Sequence, residues 1–170
     1  MICNCSSNFN YKVVGLCDLS DFDTDSTNWA QISIPEMLTI PAVKPNIESI
    51  DKIYINSKIT TTKVIETPVS PIVNGELFPN PEGLVLTGWK LLVEGFLCQT
   101  LVYTADECEQ SVHSAHFNMP FSTYIVLPTD TTIDDTFKVR VCIEYVFAKV
   151  LTPRTIFKNV TVYLQADELI

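Results

Sequence analysis

The sequence predicts an all-β protein: an antiparallel β-sandwich of jelly-roll type with a flexible N-terminal extension. Segments rich in Val, Ile, Thr, Tyr and Phe alternate apolar and polar residues with period two, which puts successive side chains on opposite faces of a strand. Clusters of Pro, Gly, Asn and Asp separate these segments at turn-like intervals, and no stretch repeats with helical period. Composition agrees with this reading. The chain has 170 residues, 46% hydrophobic and 18% charged. A chain of that size buries roughly 70% of its unfolded surface, and this balance is globular rather than disordered.

Residues 1–28 differ from the rest and read as a cysteine-bearing connector arm followed by an acidic linker, with residues 29–170 as the β-domain. Tyr11, Val13, Val14 and Leu16 form a weak apolar patch in the arm, enough for a short strand. Asp21-x-Asp23-x-Asp25 opens like an EF-hand loop, but Ser26 stands where that loop needs Gly and Ile32 where it needs Glu. A solvated linker is the expectation there, and no metal site.

Trp29 to Leu38 alternates around Pro35. Pro41 and Pro45 punctuate an extended segment. Lys52 to Thr67 carries Ile53, Ile55, Ile59 and Ile65 on one parity, and its β-branched residues disfavour helix. Residues 68–83 hold four prolines, two glycines and two asparagines and read as a long loop. Leu84 to Thr104 reads as a long strand or two, with Gly88 and Gly95 at bulges or close approaches. Asp106 to Gln110 is a polar turn, Val112 to Leu127 a bent strand or strand pair around Pro120, and Thr129 to Thr136 a turn. Phe137 to Val150 alternates most strictly: Phe137, Val139, Val141, Ile143, Tyr145 and Phe147 share one face, Lys138, Arg140 and Glu144 the other. Pro153 ends it, and Ile156 to Leu164 is the last strand.

The net charge of −9 and the lack of a Lys/Arg cluster argue against nucleic-acid binding. The opening residues show no basic and apolar secretory signal, and Lys90 and Glu94 break the longest apolar stretch, so no membrane span is expected. His113 and His116 are the only histidines. At odd and even positions of a strand they face opposite ways and do not share a metal. Asp134-Asp135 and Asp106-Glu107 read as exposed turn acids. No nucleophile elbow, phosphate loop or HExxH occurs, so no enzymatic activity, catalytic residue or cofactor is expected.

Six cysteines remain to be explained. Cys3, Cys5 and Cys17 lie in the arm, Cys98 and Cys142 in strands, and Cys108 in a polar turn. Cys142 shares a parity with Lys138 and Arg140, which places it toward the surface. Cytosolic thiols usually stay reduced, and strand cysteines often serve as small core residues. The functional reading makes all six candidates for intersubunit disulfides, with Cys3 and Cys5 on one face of an extended arm and Cys98, Cys108 or Cys142 as receivers. Tyr11, Val13, Val14 and Leu16 would add as a strand to a neighbour's sheet edge.

From Trp29 onward the chain resembles the SPOCS domain of spore-coat and spore-morphogenesis proteins. Thr87-Gly88-x-Lys90-Leu91-x-Val93-Glu94-Gly95 and His113-Ser-Ala-His-Phe-x-x-Pro120-Phe121 carry the resemblance most specifically. Trp29-Ala-Gln-Ile, Ile34-Pro-Glu-Met-Leu, Ile40-Pro-Ala-Val-Lys-Pro, Val64-Ile-Glu-Thr-Pro and Arg154-Thr-Ile-Phe-Lys-Asn add to it. The resemblance implies a non-enzymatic domain that builds the spore envelope through protein contacts. The chain reads as a single such domain, without a LysM module and with an added Cys-x-Cys arm. In that architecture it is similar to spore-appendage pilins. The expectation is a self-assembling subunit of the spore surface, whether appendage, filament, exosporium or coat, made in the mother-cell cytoplasm. Its partners would be copies of itself and other spore-coat proteins. The alternative is a non-polymerising module that recruits a coat or cortex partner.

Overall fold

The structure, a computed structural model, describes residues 10–23 and 25–169, and the alternating segments of the sequence are its strands. In order they are β1 (Lys12–Val14), β2 (Trp29–Thr39), β3 (Ile47–Val69), β4 (Ile72–Val73), β5 (Glu76–Leu77), β6 (Thr87–Ala105), β7 (Val112–Val126), β8 (Phe137–Thr152) and β9 (Thr155–Glu168), with a single 3-10 turn at Leu19–Asp21. A four-stranded sheet in the order β1-β3-β6-β7 faces a three-stranded sheet in the order β2-β9-β8. Its pairings are antiparallel except for β1, which runs parallel to β3. This is the expected all-β sandwich.

The core lies between the sheets. Leu91, Val93, Leu97 and Leu101 of β6 and Ala115 and Ile125 of β7 meet Leu38 of β2 and Ile156, Val160, Val162 and Leu164 of β9. Each of these Leu, Val and Ile side chains contributes about 1.5–3 kcal/mol when fully removed from water, before the entropy of ordering is set against it. Pro35 and Pro120 both fall in strands at the edge of a sheet, where a missing N–H leaves no ladder bond open.

Two strands depart from the expected parity, and for the same reason. In β3 the register shifts between Ile59 and Thr61. Ile53 and Ile55 are buried before that bulge, but Val64 is buried after it in place of Ile65. In β8 the register shifts between Ile143 and Tyr145. Ile143 points inward, then Val146 and Ala148 take over, and Tyr145 is 53% exposed. One extra residue in a strand turns every later side chain over.

Residues 68–83 are not only loop. Asn74 and Gly75 adopt φ 54° and 86°, the left-handed pair of a type I′ turn, and close the β4–β5 hairpin. Gly95 is the expected close approach: a Cβ there would stand 2.5 Å from the Lys58 carbonyl oxygen and 3.0 Å from the Phe121 ring.

Arg154, in the tight turn between β8 and β9, clamps the crossover from β2 to β3. Its guanidinium donates to the carbonyls of Ile40 (2.8 Å), Pro41 (2.5 Å) and Lys44 (2.8 Å) and to Asn46 Oδ1 (3.2 Å). A planar fork with five donors suits that convergence of acceptors, and lysine does not. Arg154→Lys and Arg154→Met are both expected to destabilise the domain in urea unfolding, the latter by about 2–4 kcal/mol from the lost charge-assisted bonds.

Candidate functional site

The arm from Asn10 onward is strapped to its own sandwich. Val13 stands opposite Ile53 at the open edge of β3 and packs on the core. Tyr11 reaches across to the other sheet, where its hydroxyl accepts from the Ala148 N–H at 2.7 Å and donates to the Val146 carbonyl at 3.3 Å. Gly15 has φ +114° and lies so close to the Ile55 carbonyl that no Cβ fits. Cys17 then donates its N–H to Ile143 O and forms a disulfide with Cys142, with Cα atoms 5.4 Å apart. The strap thus closes the side of the sandwich where β3 and β8 end their sheets.

The strap continues over the outer face of the three-stranded sheet. Arg140 donates to Asp21 O (2.9 Å), pairs with Asp167 (2.6 Å) and lies over the Phe22 ring at 4.9 Å. Gln165, on the outer face yet fully buried, donates to Asp23 O and accepts from Asp23 N. Phe22 and Trp29 pack edge-on and stacked on Tyr163. The acidic segment expected to be a solvated linker is therefore held by its backbone carbonyls, and Asp23 Oδ1 accepts from Asp25 N.

This geometry places the cysteines. Cys17 and Cys142 bond each other within the chain and are not free to bond a neighbour. Cys142 has the outward parity expected, but the strap covers it completely. Cys98 is a half-buried thiol on the outer face of β6, and Cys108 is an exposed thiol in the β6–β7 turn. Cys3 and Cys5 lie outside the described residues. Tyr11, Val13, Val14 and Leu16 sit on their own domain, where a neighbour's edge was expected. A parallel β1–β3 ladder, the Tyr11 tether and the disulfide together favour docking within the chain.

The histidines face apart as expected: His113 meets Ser111 Oγ (2.9 Å) with its ring tilted against that of Tyr103, while His116 meets Thr100 Oγ1 (2.9 Å) from the other face. Among the described residues no group of three His, Cys, Asp or Glu side chains is placed to hold a metal ion. Among the described residues no helix is long and apolar enough to cross a membrane.

Two surface hollows stand out. A cleft of about 720 Å³ lies where the β2 and β7 edges meet the 83–87 segment, lined by Trp29, Ile32, Leu84, Lys90, Tyr124 and Leu127. Trp29, Leu84 and Tyr124 are each at least half exposed there. A second hollow of about 360 Å³ lies on the outer face of the four-stranded sheet, with Cys98 between Tyr54, Asn56, His116 and Asn118.

Sequence reading missed a polar group in the core. Glu36 and Lys158 are opposite partners on β2 and β9, with fully buried side chains and Nζ 2.9 Å from Oε2. Gln99 of β6 crosses from the facing sheet, and its Nε2 donates to Glu36 Oε1 (3.1 Å) and Oε2 (2.9 Å). Burial pushes the Lys158 ammonium below its ordinary pKa, against the pull of the Glu36 charge. The signal was available in parity: Glu36 alternates with Ile34 and Leu38, and Lys158 with Ile156 and Val160.

The strap generates a pH prediction. Burial raises the Tyr11 phenol above its ordinary value, partly offset by the hydrogen bond from Ala148. The unfolded chain then gives up that proton first, so Tyr11 contributes fully below about pH 10 and its contribution is lost as the pH climbs through the raised value. Tyr11→Phe is expected to cost about 1–2 kcal/mol near neutral pH, because it leaves the Ala148 N–H unpaired. It should also make the alkaline loss of stability shallower in denaturant titrations at stepped pH.

No curated protein and no solved structure is significantly similar to the chain. A family model does match: that of the SipL SPOCS domain, over residues 46–151. The matched span holds β3 to β7 and all but the last residue of β8, and with them both motifs that carry the resemblance most specifically. It leaves out the strap, β2 and β9, so the Trp29 to Pro45 and Arg154 to Asn159 stretches lie beyond it. With more than half of its length matched, the chain belongs to the SPOCS-domain family, which suggests a sporulation-related role.

Proposed function

We propose that the chain is a non-enzymatic structural subunit of the spore surface that joins copies of itself through Cys3 and Cys5. The division of the cysteines supports this most. Cys17 and Cys142 are consumed in an internal staple, while Cys98 and Cys108 keep free thiols on the outside of the domain.

Position separates the two receivers. Asn10 enters β1 at the end of the sandwich that carries the β6–β7 turn, since Lys12 stands opposite Lys52 and Gln110 bonds Glu48. The five residues from Cys5 to Asn10 span at most about 17 Å. A leader that bonds Cys108 at this same end of a second copy makes a self-complementary contact, which closes as a dimer. A leader that lies in the hollow of the outer sheet face and bonds Cys98 uses two different patches, and a contact of that kind propagates. Cys98 is therefore the receiver that extends a polymer. The spore-surface location and the other coat partners belong to this proposal.

The Trp29–Leu84–Tyr124 cleft favours a second reading, a monomeric module that holds an apolar segment of another coat or cortex protein.

Air-oxidised full-length protein, run on non-reducing gels and imaged by negative-stain electron microscopy, tests the first reading. A reductant-sensitive ladder and regular polymers are expected. They should vanish in a Cys3→Ser/Cys5→Ser double variant and fall back to dimers in Cys98→Ser. They should persist in Cys17→Ser/Cys142→Ser. Monodisperse monomer under oxidation would sink the assembling subunit and leave the binding module.

A further inference from the structure

The buried Glu36–Lys158–Gln99 triad is poorly explained as a structural ion pair. An ion pair taken out of water usually needs its remaining lone pairs and protons satisfied to offset desolvation. Here Lys158 Nζ has no partner beyond Glu36, and Gln99 Oε1 has none at all. These are two of the three buried side-chain atoms without a hydrogen-bond partner among the described residues. Both belong to the same cluster, and both are the atoms an acyl transfer would use.

The geometry is that of a carboxyl group holding an amine and a carboxamide together. Lys158 Nζ and Gln99 Nε2 each lie 2.9 Å from the same oxygen, Glu36 Oε2. Lys158 comes from the three-stranded sheet and Gln99 from the four-stranded one, so the triad spans the sandwich. All three residues are buried, which shields an amide from hydrolysis once formed.

We propose that Lys158 and Gln99 join in an intramolecular isopeptide bond, with Glu36 as the proton carrier. Burial disfavours the Lys158 ammonium, and in the first step its proton passes to the Glu36 carboxylate 2.9 Å away. The neutral Nζ attacks Gln99 Cδ. Glu36 gives the proton it holds to Nε2, which already sits against its oxygens, and takes the second proton from the attacking Nζ, so that it ends as the neutral carboxylic acid. The Cδ–Nζ bond forms, the Cδ–Nε2 bond breaks, and one ammonia leaves. No oxidant, metal or cofactor enters the balance. Holding the reactants in a dry core makes the step unimolecular, which is the condition under which an unactivated amide can be attacked. The product removes two buried charges, gives the former lysine nitrogen a covalent partner, and bolts the two sheets together.

Intact-mass spectrometry of the full chain, purified, reduced and denatured, tests this without a variant. The mass is expected to fall short of the sequence mass by one ammonia. Peptide mapping should recover the Gln99 and Lys158 peptides as one branched species, which separates the link from ammonia loss at Asn74-Gly75. Full sequence mass with the two peptides recovered separately from folded protein would overturn the proposal. Glu36→Gln keeps the shape and removes the proton carrier. Folded Glu36→Gln of full mass supports the mechanism, and linked Glu36→Gln would remove Glu36 from it. On reducing gels the linked chain should also migrate faster than the Glu36→Gln variant, since a closed loop is more compact when denatured.

Discussion

The fold rests on keeping one face of each strand inward along strands far longer than most. A β3 of 23 residues and a β6 of 19 form the longest ladder of the protein. Strands of that length twist and coil, and a rigid alternation would carry its apolar side out of the core before the strand ended. The bulges in β3 and β8 correct this by resetting parity where the sheet needs it, so Val64 and Val146 replace Ile65 and Tyr145 as the buried residues. The inter-sheet core, the strap that closes it and the polar group inside it all depend on that phase being held.

The strap covers a sheet edge that would otherwise stand open. One side of the sandwich is bounded by β3 and β8, and without further chain it would leave the β3 edge unpaired. β1 occupies that edge in parallel, Tyr11 ties it to β8, and the disulfide with Cys142 fixes its exit. Where the sequence showed a cysteine-bearing arm suited to a neighbour, the same apolar residues satisfy an edge of their own domain. The remaining open side, between β2 and β7, has no such cover, and the exposed aromatic cleft is found there.

Much of the fold was legible because period-two patterning is a local signal. β2, β6, β7, β8 and β9 were readable from alternation and punctuation, as was the close approach at Gly95. What was not readable is long-range. A bulge is invisible in composition, since Thr60 and Glu144 look like any other outward polar residue. The β4–β5 hairpin hid inside a proline-rich stretch whose Asn-Gly pair was the signal. The partner of Cys17 could not be read from spacing, since 125 residues separate it from Cys142. Glu36, Lys158 and Gln99 drew no assignment because polar side chains argue for water, whereas their parity argued for the core.

The direction of β1 also sets how the molecule answers a pull. Tension applied at the leader enters at Asn10 and reaches the Cys17–Cys142 bond after a few residues. It then passes across the disulfide into β8, in the other sheet. Only the short β1 ladder and the Tyr11 tether can give way before the covalent link takes the load. A domain wired in this fashion yields a few residues of slack at β1 and then stops, as a tether with a short elastic stage would, before the load reaches β8.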